Sequence, residues 1–68
     1  MTGMLFLNGD RPDIIFPNGQ FYGGLHCGDC FKIYRNEWVN VRLEFEEGWI
    51  LIHNRQKLEI NYGEYVDL

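Results

Sequence analysis

The strongest constraint on this chain is a period of two near its centre. Val39, Val41, Leu43 and Phe45 alternate with Asn40, Arg42, Glu44 and Glu46. Successive side chains of a strand point to opposite faces, so four apolar groups lie on one side and four polar groups on the other. A helix fits the run poorly, because β-branched and aromatic side chains lose χ1 freedom against the preceding turn. Glu47 and Gly48 then permit a tight reversal into Trp49-Ile50-Leu51-Ile52-His53. This second strand is apolar on both faces, with Trp49, Leu51 and His53 on one and Ile50 and Ile52 on the other. Such a strand is expected to be central and covered on both sides, or buried by a partner.

The rest of the chain reads the same way. Residues 4–7, 13–16, 20–22, 30–34 and 57–62 are candidate strands, and residues 65–66 a short closing edge. Glycine-bearing turns at Asn8-Gly9-Asp10, Asn18-Gly19, Gly23-Gly24 and Cys27-Gly28-Asp29 separate them. No stretch of ten residues has helical periodicity. A chain of 68 residues has room for one small core, so residues 1–68 are expected to form a single domain. The expected fold class is all-β: a small antiparallel sheet or a partly open SH3-like barrel of five to seven short strands, with little or no helix. Closing or half-closing the sheet would hide its edges. Residues 1–20 are expected to form an N-terminal hairpin, or an arm that adds a strand to another chain and so makes a homodimer.

Charge narrows the partners. Six basic residues stand against ten acidic ones, a net charge of −4. Nucleic-acid binders concentrate Lys and Arg against phosphates, whereas here Arg11, Lys32, Arg35, Arg42, Arg55 and Lys57 are scattered. Nucleic acid is therefore disfavoured, and a basic protein partner is favoured. No apolar run reaches the roughly 20 residues that span a bilayer, so no membrane role is expected and a cytoplasmic location is.

Cys27-Gly28-Asp29-Cys30 is the one unit with the spacing for chemistry. Two thiolates separated by two residues can grip one zinc ion, but a structural site takes four ligands. The chain has no second cysteine pair; His26 adjoins Cys27 awkwardly, and His53 serves only if its hairpin end meets the cysteine turn. Two chains could instead supply four cysteines across a dimer axis. Redox chemistry is weaker, since the nucleophile of such motifs sits at a helix N-terminus and residues 31–34 read as strand. The alternative is two small reduced side chains at a turn, with no cofactor. No serine is present, and no nucleophile–base pair is recognisable, so no enzyme activity is expected.

The eleven aromatic residues should be mostly core. Tyr22, Tyr34 and Trp38 flank turns or strand ends and are expected to form an exposed patch for a protein partner. Glu44 and Glu46 are expected on a solvated strand face, where they would solubilise the chain or dock a basic partner.

The run Leu25-His26-Cys27-Gly28-Asp29-Cys30-Phe31-Lys32-Ile33, followed by Trp38, Val41-Arg42-Leu43-Glu44 and Trp49-Ile50-Leu51, resembles a small family. It is similar to the domain-of-unknown-function family 5348, short proteins of Gram-positive bacteria and their phages or mobile elements. The resemblance covers residues 25–53 and finds no counterpart in the first 20 residues. It implies a bacterial or phage accessory protein and brings no activity or catalytic residue. The expected function is a small acidic, non-catalytic protein-binding module, such as a phage or mobile-element protein that binds a host factor. The alternatives are a zinc-stabilised β module that binds nucleic acid and a structural subunit of a homo-oligomer.

Overall fold

A computed structural model describes residues Met1–Leu68. Seven strands form one antiparallel sheet: β1 (Thr2–Asn8), β2 (Arg11–Ile15), β3 (Cys30–Tyr34), β4 (Trp38–Phe45), β5 (Trp49–His53), β6 (Gln56–Glu59) and β7 (Tyr65–Asp67). There is no helix. The spatial order is β2-β1-β7-β3-β4-β5-β6, so the last strand joins two hairpin-built halves.

The period-two pattern fixes the registers. Leu43 lies opposite Leu51 and Phe31 opposite Val41, which puts the apolar positions of β3, β4 and β5 on one face. Leu5 opposite Ile14 and Ile33 opposite Val66 continue that face through β1, β2 and β7. With Leu25 these residues make a core of nine buried side chains, flanked by Phe16, Val39, Trp49, Leu58 and Ile60.

Sequence and structure part company at several places: residues 20–22 form only an isolated bridge at Phe21, and the strand expected over 57–62 runs Gln56–Glu59. Pro12 lies inside β2, opposite Leu7, where a separator was expected. The two-residue turn makes Asn8 and Arg11 the first hydrogen-bonded pair, so Pro12 falls where no N–H is needed towards β1. Its carbonyl points away from β1 and accepts the Leu25 N–H at 2.8 Å. β5 is not fully buried on both sides: Leu51 is buried, while Ile50 and Ile52 are only partly buried on the outer face. The long side chains of Arg42 and Lys57, on the positions opposite Ile52, flank that apolar surface.

The sheet curls over its core without closing. The Trp49 Nε1–H donates to the Asp10 carbonyl at 2.8 Å, tying β5 to the β1–β2 turn across the open side. The Arg11 guanidinium lies 5.3 Å from the centre of the Trp49 ring and donates to the Leu25 carbonyl at 2.8 Å. Side chains bridge the gap, and no strand pairing joins β6 to β2. Residues 1–20 contain the β1–β2 hairpin, and β1 pairs on both sides within this sheet.

Candidate functional site

The cysteine unit is a turn entering β3. The Asp29 N–H donates to the His26 carbonyl at 3.0 Å, and Gly28 has φ +91°, the conformation a type II turn demands of its third residue. The Gly28 N–H donates to Leu43 O and the Leu43 N–H to Asp29 O, so two residues face one. This is a β-bulge that begins with a left-handed glycine. The Asp29 carboxylate closes the turn by accepting the His26 N–H at 2.8 Å. Gly28 and Asp29 thus have structural work, and both cysteines are left as exposed free thiols.

No three His, Cys, Asp or Glu side chains meet in an arrangement that could hold a metal ion. His53 does not join the cysteines in one. Its Nδ1 is 2.7 Å from the Asn40 carbonyl, which can only accept, so Nδ1 carries the proton. Nε2 then accepts from the Asn54 amide at 3.3 Å, and both ring nitrogens are engaged. Cys30 and His53 do line one shallow groove of about 610 Å³, together with Lys32, Arg42, Ile52 and Asp67.

The outer face carries a different feature. Strand registers align Phe21 with Ile15, Ile15 with Met4, and Met4 with Tyr65. Ile33 faces Val66, so the next pair along is Tyr34 and Tyr65, and the Arg35–Glu64 contact continues the same register. Tyr34 in turn faces Trp38. The result is a row across the sheet, Phe21–Ile15–Met4–Tyr65–Tyr34–Trp38, with Phe21 and Tyr65 more than half exposed. Tyr34 and Trp38 meet edge to face at 5.3 Å, and Phe21 also touches Phe6 at 5.4 Å. Beside Met4 and Tyr65 opens an apolar groove of about 270 Å³, lined also by Ile15, Phe16 and Pro17.

Of the aromatic residues singled out from sequence, Tyr34 and Trp38 belong to this row. Tyr22 does not: it lies opposite Ile14, on the other face by strand parity, and its neighbour Phe21 takes the place in the row. Glu44 and Glu46 are remote from it in register. Glu44 accepts from Arg42 Nε at 2.6 Å, and Glu46 pairs with Lys57 at 2.6 Å.

Two charged residues that sequence reasoning passed over position the row's ends. Asp13 is 1% exposed, and its Oδ1 accepts N–H groups from Ile14, Gly23 and Gly24 at 2.8–3.0 Å. Burial alone would raise its pKa, but the amides of Gly24, Ile14 and Gly23 and the Asn8 side chain outweigh it, holding the carboxyl below the ordinary value of 3.8. Gly23 and Gly24 have φ near +100°, which turns their consecutive N–H groups onto one oxygen. This anchor pins the segment bearing Phe21 against β2. At the other end, Arg35 grips Glu64 through Nε and Nη2 at 2.6 and 2.8 Å and also donates to the Glu59 carbonyl. The contact with Glu64 holds the guanidinium above its ordinary pKa and fixes the approach to β7.

Comparison with known proteins yields a family and a close structural relative. A crystal structure of a protein from Ruminococcus gnavus, a Gram-positive bacterium, superposes with a TM-score of 0.85 at 37% identity, covering 100% of both chains. No curated protein matches. The domain of unknown function DUF5348 matches residues 5–67, which extends the similarity seen in residues 25–53 across β1, β2 and β7. The chain belongs to the DUF5348 family.

Proposed function

We propose that this protein is a small non-catalytic module that binds another protein through the outer-face row of Phe21, Met4, Tyr65, Tyr34 and Trp38. The observation that carries the reading is the row itself, aligned across six neighbouring segments of backbone. Exposed apolar side chains are ordinary when scattered, whereas a contiguous patch marks an interaction surface. Tyr and Trp supply rigid area with a polar tip, and they dominate binding energy at interface centres. The net charge of −4 favours a basic partner over nucleic acid. A host protein of a Gram-positive bacterium or its mobile elements is the partner class this reading names.

The test is capture from a Gram-positive lysate, followed by titration of the purified partner with amide shifts recorded on this chain. Shifts should centre on Met4, Tyr34, Trp38 and Tyr65. The double variant Tyr34→Ala, Trp38→Ala should stay folded and bind at least ~30-fold more weakly, since one central aromatic is worth about 2 kcal/mol or more. Equal binding by that variant, or turnover of a substrate that depends on Cys30 or His53, would reject the reading.

A further inference from the structure

The two edges of the sheet differ. Beyond β2, residues 20–25 run alongside the strand and take up its outward carbonyls: Tyr22 N–H donates to Ile14 O and Leu25 N–H to Pro12 O, each at 2.8 Å. Beyond β6 no strand follows. Residues 54–55 form a two-residue turn with φ of 48° and 66°, so His53 and Gln56 are the first hydrogen-bonded pair of the β5–β6 hairpin. Alternation then points the N–H and C=O of Lys57 and Glu59 away from β5. The outward Glu59 carbonyl is the one that Arg35 reaches, at 2.6 Å, which agrees with this polarity and leaves its second lone pair open.

From this polarity and the charges beside it we infer that β6 pairs with β6 of a second copy of this chain, antiparallel, about a two-fold axis at Leu58. That register sets Lys57 opposite Glu59 of the other copy, twice by symmetry. Both residues are outward-pointing, so each facing pair exchanges two backbone hydrogen bonds. Their side chains lie on the outer face, where opposite charges meet across the strands. Lys57 already holds Glu46 at 2.6 Å, and the second copy's carboxylate approaches from its other side. On the inner face Leu58 meets its own copy in the closely spaced, non-hydrogen-bonded position. A shift by one residue would bring Lys57 and Leu58 together and lose both charge pairs, so the sequence selects one register.

This dimer uses none of the aromatic row, and it goes beyond the binding function proposed above without depending on it. Four-residue strands bury less than the roughly 800 Å² per partner of a standard interface, so the association is weak and concentration-dependent.

The test is sedimentation equilibrium of the full chain under reducing conditions, from about 10 µM to 1 mM. The wild type should show a monomer–dimer equilibrium within that range. Lys57→Glu should weaken it at least ~10-fold by placing like charges opposite each other. Lys57→Glu with Glu59→Lys should restore it. Neither variant keeps the internal Lys57–Glu46 pair, so rescue by the second separates pairing between copies from any effect within one. Circular dichroism of each variant checks that the sheet is intact. A wild type that stays monomeric throughout would overturn the inference. So would a dimer equally stable in Lys57→Glu, or one abolished by Trp38→Ala, which would place the contact on the aromatic row.

Discussion

The two ends of this sheet are finished by opposite means. At β2 a buried anion organises the cover: Asp13 gathers the amides of Gly23 and Gly24 and so lays residues 20–25 along the strand. At β6 a cation holds only the last residue, through Arg35 and the Glu59 carbonyl, and the strand itself lies bare. The lesson is that an edge need not be protected by sequence lying next to it. One carboxylate ten residues away lays a loop along the edge, where it forms a single isolated bridge rather than a further strand. The bare edge relies on its brevity and on charged side chains, which resist pairing with most strands and accept only one of matching pattern.

Truncation of the anchor is the harshest way to break this contrast. Asp13→Ala leaves the N–H groups of Ile14, Gly23 and Gly24 without their acceptor, and should cost about 3 kcal/mol in urea unfolding. Hydrogen exchange at Tyr22 and Leu25 should rise to the rate of an uncovered edge. If those amides stay protected, the cover is held by something other than Asp13. Arg35→Met comes next, at about 2 kcal/mol, because Glu64 is mostly buried and would lose a two-pronged partner. Its effect should fall on the approach to β7 and the end of β6, leaving Tyr22 and Leu25 protected.

Acid sharpens the same contrast by protonation in place of mutation. Asp13 has a folded-state pKa below its ordinary 3.8, so its contribution is complete above that value and is lost as pH falls through the lower folded-state value. The stability difference between wild type and Asp13→Asn should therefore be constant near neutrality and shrink below about pH 3.8. A difference that persists undiminished in acid would show that charge is not what the site uses. The smallest effect concerns the bridge between the sheet's two ends. Trp49→Phe removes the donor to Asp10 and weakens the Arg11 contact, for about 1 kcal/mol in thermal or urea unfolding.

Much of the framework was legible because it follows local alternation. The limits expected for residues 30–34 and 49–53 coincide with β3 and β5, and the central hairpin has the faces its pattern demands. The outer row was half legible. Tyr34 and Trp38 sit on patterned strands, so their direction follows from their neighbours. Gln20-Phe21-Tyr22 has no alternation to set its phase, and a one-residue error of phase exchanges Tyr22 for Phe21. Asp13 was opaque for a different reason. It reads as the first residue of the candidate strand 13–16, and its role depends on glycines ten and eleven positions later. The cysteine turn was conspicuous in sequence, yet the bulge opposite Leu43 employs the Gly28 and Asp29 between the two cysteines, not the thiols themselves.

The place of β7 has a consequence for how the protein is made. Ribosomal synthesis delivers β1 and β2 first, then β3 through β6, as two hairpin-built groups with no direct pairing between them. Only when residues 65–67 emerge can Gly3 and Ile33 both find Val66. Until then each group exposes the unpaired flank that β7 will occupy, β1 on one and β3 on the other. Completion of the sheet therefore waits for β7, and it requires a long-range closure between β1 and β7. A nascent chain paused before residue 65 would present two sticky flanks to the cell, which is where misassembly of such a small sheet would begin.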